Sequence, residues 1–145
     1  IIMIKFLESN FDKESGISMV KIATECGFFY GYAFLNPEDR KYESGYLGCE
    51  IAEMRAIREY YERKIHFLNT RILTLEDVAK DIRVNKQFDS EHFEYQIILK
   101  RLKQAKDQKQ EFKEIIKDID AAIEVKLDAR VALVDRLEKK NQDNE

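Results

Sequence analysis

Near Leu47 the apolar positions of this chain change their period, which divides the sequence into a strand-forming third and a helix-forming remainder. Before the change, apolar residues alternate with polar ones. Residues 3–7 read as a short strand, 8–16 as a polar turn and 17–24 as a second strand. Glu25, Cys26 and Gly27 then form a hairpin turn into residues 28–35. Successive strand side chains point to opposite sides. Phe28, Tyr30, Tyr32 and Phe34 therefore share one face, and Phe29, Gly31, Ala33 and Leu35 share the other. The first face is bulky and flat, expected as core first and as a stacking surface second. The second is narrow enough for a helix backbone to come close. Asn36-Pro37-Glu38-Asp39 ends the predicted three-stranded antiparallel meander.

After the change, Leu47, Ile51, Met54, Tyr61, Ile65 and Leu68 recur at spacings near three and four, the stripe of an amphipathic helix. Arg58 takes the one stripe position that is not apolar. Asn69-Thr70 is a candidate interruption, and Thr74-Leu75-Glu76-Asp77 resembles an N-cap that opens a short helix to about Ile82. Residues 83–89 read as a loop. From Ser90 to about Lys139 nothing breaks the helix, and Ile98, Leu102, Ala105, Phe112, Ile116, Ile119 and Ile123 keep a heptad-like spacing. A straight helix of that length would be roughly 75 Å long, more than the preceding helix is expected to cover. The remainder of the stripe needs a second protomer or a bend near residues 124–128. The predicted class is α+β in a single domain 1–145. A β-rich head (1–45) leads through a first helical segment (46–82) and a loop (83–89) to a long C-terminal helix (90–140), the helices forming an antiparallel or coiled-coil-like bundle. A homo-oligomer is the expected assembly.

Composition supports the same division. All five glycines and the only proline precede Cys49, so nothing after it interrupts helical runs except polar clusters. A net charge of −3 gives no general attraction for duplex nucleic acid or an anionic membrane. The middle of the last helix, residues 100–117, is locally basic with seven cations against three acids. They are distributed around the helix and interleaved, which makes a poor nucleic-acid footprint. Cys26 and Cys49 are expected as reduced thiols in an intracellular protein. The apolar start is far short of the roughly 20 residues of a bilayer span, and no signal-peptide layout follows it.

Catalytic chemistry has little to stand on. His66 and His92 have no neighbours at metal-ligand spacing and belong to no Ser/His/Asp arrangement, and no Gly-rich phosphate loop opens a helix. The expectation is no enzyme, no metal and no cofactor. Two features invite a ligand. Arg55 and Arg58 lie three apart on the first long helix. They read either as arginines that snorkel outward or pair with nearby carboxylates such as Glu59 or Glu62, or as a guanidinium pair for phosphate or pyrophosphate. Asn85 and Phe88, among the cations of residues 83–88, read either as a connector that plugs the core or as a set that stacks on and hydrogen-bonds a base.

Asn36-Pro37-Glu38-Asp39, Glu43, and the run Gly48-Cys49-Glu50-Ile51-Ala52-Glu53-Met54-Arg55-Ala56, preceded by an aromatic-glycine strand, resemble the first-described type of Thoeris anti-defense proteins of phages. The order of elements is similar over most of the chain, and the specific motif covers about residues 29–58. The resemblance implies a non-catalytic sponge in the host cell cytoplasm. Such a sponge captures the cyclic ADP-ribose-type signal of a TIR-domain defense enzyme, in some members also cyclic oligonucleotides, and assembles as a dimer or hexamer. Arg55 matches the motif directly. Arg58, Asn85, Phe88 and Arg101 extend the ligand-binding set by their chemistry. The competing reading is a structural or partner-binding coiled-coil protein with no small-molecule ligand.

Overall fold

The computed structural model describes residues 2–36, 46–85 and 93–144. Among the described residues β1 and α1 are longer than the sequence punctuation suggests, and two helices stand where three were expected. β1 (Ile4–Asp12), β2 (Ile17–Thr24) and β3 (Gly27–Phe34) form an antiparallel sheet in the order β1-β2-β3, followed by α1 (Tyr46–Asn85) and α2 (Phe93–Asp143). The α+β class and the meander are as expected. Pro37, Glu38, Asp39 and Glu43 of the family-like motif, together with residues 86–92, lie outside the described residues.

Three boundaries differ from the sequence reading. β1 does not stop at residue 7. The register shifts between Phe6 and Glu8, and this bulge lets Glu8, Ser9, Asn10, Phe11 and Asp12 continue the ladder against β2. The true turn is short. The Asp12 carboxylate accepts hydrogen bonds from the Glu14 amide (3.0 Å) and the Ser15 hydroxyl (2.9 Å), and Gly16 closes the turn at φ 72°. α1 is not interrupted at Asn69-Thr70, nor does a new helix start at Thr74. The hydroxyls of Thr70 and Thr74 donate to the carbonyls of His66 (3.3 Å) and Thr70 (3.0 Å), one turn back, so neither acts as a cap. Buried Leu68 and Ile72 carry the apolar stripe through the same stretch. Arg83, Val84 and Asn85, predicted as loop, are the last residues of α1.

Two compact units divide the chain: Ile1–Tyr60 with Ile116–Glu145, and Tyr61–Ile115. In the first, the narrow face of β3 receives α1. A Cβ on Gly31 would collide with the Ala52 carbonyl and stand 2.6 Å from the Ala56 nitrogen, and Ala52 and Ala56 are themselves fully buried. Val20, Ile22, Ala33, Leu35 and Ile51 complete that core. Gly48 is small for a related reason, because a side chain there would strike the Ser18 hydroxyl and lie 3.2 Å from the Arg130 guanidinium. Tyr60 is fully buried. Its ring meets Phe29 edge-on at 5.9 Å and its hydroxyl donates to Glu25 in the β2–β3 turn.

In the second unit α1 and α2 run antiparallel around Tyr61, Leu68, Ile72, Ala79, Ile82, Ala105 and Phe112, with the Tyr61 and Phe112 rings 5.5 Å apart. Ala105 and Phe112 here, and Ile123 in the first unit, are buried within one chain. These three stripe positions are buried without a second protomer, whereas Ile98, Leu102, Ile116 and Ile119 are only partly buried. α2 is helical throughout residues 124–128, where a bend was one alternative. Among the described residues no helix is long and apolar enough to cross a membrane.

Candidate functional site

The broad aromatic face of β3 is not core. Phe28, Tyr30, Tyr32 and Phe34 are 61%, 44%, 45% and 66% exposed, because α1 occupies the glycine-alanine face instead. That choice follows from packing: a helix seated on Gly31 and Ala33 brings its backbone close to the strand, and four rings would hold it away.

Once α1 is seated through Ala52 and Ala56, Arg55 and Arg58 fall beside the contact. The Leu35 amide donates to the Gly16 carbonyl (2.9 Å), so odd-numbered positions at this end of β3 face β2 and the even-numbered carbonyls face the free edge. There the Arg55 guanidinium donates to the Tyr32 carbonyl at 2.8 Å, and Arg130 of α2 reaches the Phe34 carbonyl at 3.5 Å. Arg58 meets Asp120 of α2 in a two-pronged ion pair, Nε to Oδ1 at 2.6 Å and Nη2 to Oδ2 at 3.2 Å. The anticipated pairing of Arg58 with a carboxylate is met by Asp120, a partner the sequence reading did not name. Arg55 binds a backbone carbonyl. Arg55, Arg58 and Glu59 together with Tyr30, Gly31, Tyr32 and Phe34 line a cleft of about 390 Å³. A guanidinium has five N–H donors, and the bond of Arg55 to the Tyr32 carbonyl uses one.

Arg101 lies elsewhere. In the second unit it lines a cavity of about 630 Å³ with Asp77, Asp81 and Glu94 over a floor of Val78, Ile82, Ile97 and Ile98. Three carboxylates around one guanidinium make this cavity electronegative, so its greater volume is poorly matched to an anion. The structure thus brings Arg55 and Arg58 together and leaves Arg101 in a different setting. Asn85 ends α1, with its side chain outside the described part, and Phe88 and His92 lie outside the described residues. His66 is exposed on α1, and both cysteines are free.

Sequence reasoning missed Asp120, Arg130 and Tyr60. No local pattern marks them, since their partners lie 62, 96 and 35 residues away in the chain. Comparisons with protein-family models, curated proteins and solved structures find no match for this chain.

Proposed function

We propose that this protein is a phage-encoded anti-defense sponge, which binds a cyclic ADP-ribose-type signal in the host cytoplasm without degrading it. One observation carries the reading: two arginines and three aromatic residues line a single cleft. Guanidinium forks suit a pyrophosphate, and ring faces suit an adenine. Its volume lies within the range of about 300–1,000 Å³ usual for small-molecule sites. Arg55, the residue that matches the family-like motif, is in this cleft. Arg58 is beside it, already paired with Asp120, and supplies a second cation whose charge is partly spent. Assembly into a homo-oligomer belongs to the same reading, and the partly buried stripe positions Leu102, Ile116 and Ile119 support it.

The test uses a cyclic ADP-ribose isomer incubated with the protein, removal of unbound ligand, denaturation, and chromatography of the supernatant. A sponge returns the ligand intact. Recovery of a hydrolysed product, or of no ligand, refutes the reading. Extension of the signal to cyclic oligonucleotides is checked by titrating a panel of them in a calorimeter.

A second reading, a structural coiled-coil protein without a ligand, is favoured by one specific fact: both guanidiniums already have partners within the chain. On that reading calorimetry against every cyclic nucleotide in the panel is silent.

A further inference from the structure

The cavity of the helical hairpin is poorly matched to an anion, and its lining describes a ligand of the opposite charge. Each helix contributes two pairs of residues one turn apart, and residues so spaced share a side of the helix. On α1 an acidic pair, Asp77 and Asp81, runs beside an aliphatic pair, Val78 and Ile82. On α2 Glu94 precedes Ile98, and Ile97 precedes Arg101, by the same step. The result is an aliphatic floor with carboxylates on both helices. Ile82 is buried, Ile97 and Ile98 are half-buried and Val78 is 39% exposed, so part of the floor is open to an apolar ligand. Among the described residues Asp77 and Glu94 take part in no ion pair, in contrast to Arg58 and Asp120 of the β3 cleft.

We infer that this cavity binds a linear aliphatic polyamine, with its methylene chain across the floor and its ammonium groups at the carboxylates of the two helices. Three properties select this class among cations. The first is dispersed charge. Among the described residues no group of His, Cys, Asp or Glu is placed to hold a metal ion, so the carboxylates suit a ligand whose positive charges are spread as well. The Cβ atoms of residues one turn apart, as Asp77 and Asp81 are, stand about 5–6 Å from each other. Two ammonium groups joined by about four methylenes span a similar length. The second property is the floor. Contact between methylenes and aliphatic side chains removes both from water, which a hydrated inorganic ion cannot do. The third is that the described lining holds no aromatic ring, and so lacks the cage that recognises a quaternary ammonium. An alkylammonium keeps its charge at neutral pH, as a lysine does.

This inference is independent of the sponge reading. The cavity belongs to the hairpin unit, and neither Arg55 nor the rings of β3 line it. Failure of either reading therefore leaves the other standing, and the test contains no nucleotide.

Calorimetric titration of the full chain with spermidine at constant ionic strength should give saturable binding of one molecule per chain. Hexaamminecobalt(III) is a compact ion of equal charge without methylenes, and it should bind at least about tenfold more weakly. Asp77→Asn with Glu94→Gln removes two exposed carboxylates and should weaken spermidine about tenfold or more, with helical content by circular dichroism unchanged. Arg101→Ala removes the one cation of the described lining and should tighten spermidine about threefold. Effects of opposite sign from neighbouring charges are what an electrostatic site requires, and a role confined to folding would not produce them. The inference is overturned by a wild-type chain that shows no saturable binding, or by a cobalt complex that binds as tightly as spermidine. A double variant that binds normally, or a weakening by Arg101→Ala, overturns it as well.

Discussion

The cleft beside β3 and the cavity of the helical hairpin differ in the opposite sense from their sizes. The hairpin cavity is the larger, at about 630 Å³ against about 390 Å³, but aliphatic side chains floor it and Asp77, Asp81 and Glu94 outnumber Arg101. The smaller cleft has two guanidiniums, one carboxylate and three aromatic residues. For an anionic, ring-bearing ligand, charge and ring faces decide, and volume only sets a limit. The difference begins in the sequence. Unit one is built on a strand in which glycine and alanine alternate with aromatics, whereas the hairpin unit is built on helical stripes of aliphatics flanked by solvated charges.

The largest predicted effect tests whether the two units have separate cores. Phe112→Ala removes a fully enclosed ring from the hairpin unit and should cost about 3–5 kcal/mol in urea unfolding. Hydrogen exchange should locate the loss in residues 61–115. Equal loss of protection in the sheet would erase the distinction. Next comes Gly31→Ala, which places a methyl against the α1 backbone. Because the Ala52 carbonyl cannot move without the helix, the cost should be near the upper end for overpacking, about 3 kcal/mol, with protection lost first in β3 and the start of α1.

Binding gives the third contrast. Loss of a charge-assisted hydrogen bond worth about 1.5–3 kcal/mol predicts that Arg55→Ala weakens a cyclic ADP-ribose isomer about tenfold or more by calorimetry. Arg101→Ala should change affinity less than about twofold. Reversal of these two results would move the ligand to the hairpin cavity. The smallest effect concerns stability and affinity in opposite directions. Asp120→Asn breaks an ion pair whose members are one-third and one-half exposed, so stability should fall by less than about 1 kcal/mol. The same change removes a negative charge next to Arg58 of the cleft, and ligand affinity should rise a few-fold.

Much of the sheet was legible because strand alternation is strict: Gly31 and Ala33 mark the close face in the sequence itself. Which face becomes core was less legible, since hydrophobicity favours the rings while helix packing favours small residues, and packing prevailed. Polar β1 residues Glu8 to Asp12 read as a turn, because a strand exposed along nearly its whole length has no need of apolar alternation. Thr70 and Thr74 read as breakers because the same hydroxyl can cap a helix or bond back to its preceding turn, and only the buried stripe around them decides. In the candidate site, Arg55 and Arg58 were found by their spacing. Their partners were not, because the Tyr32 carbonyl and Asp120 are brought there by the fold.

The guanidinium contacts at Tyr32 and Phe34 have a consequence for the protein's life in a crowded solution. β3 ends a sheet, and an unpaired, aromatic-rich edge of that kind is a template on which another chain can add as a new strand and propagate a fibre. Arg55 and Arg130 occupy two of the edge carbonyls and place positive charge along the line an incoming strand would follow. Arg55, first singled out as a ligand contact, thus also guards, together with Arg130, against runaway polymerisation. Their loss would be felt first as shortened shelf life, before any change in fold.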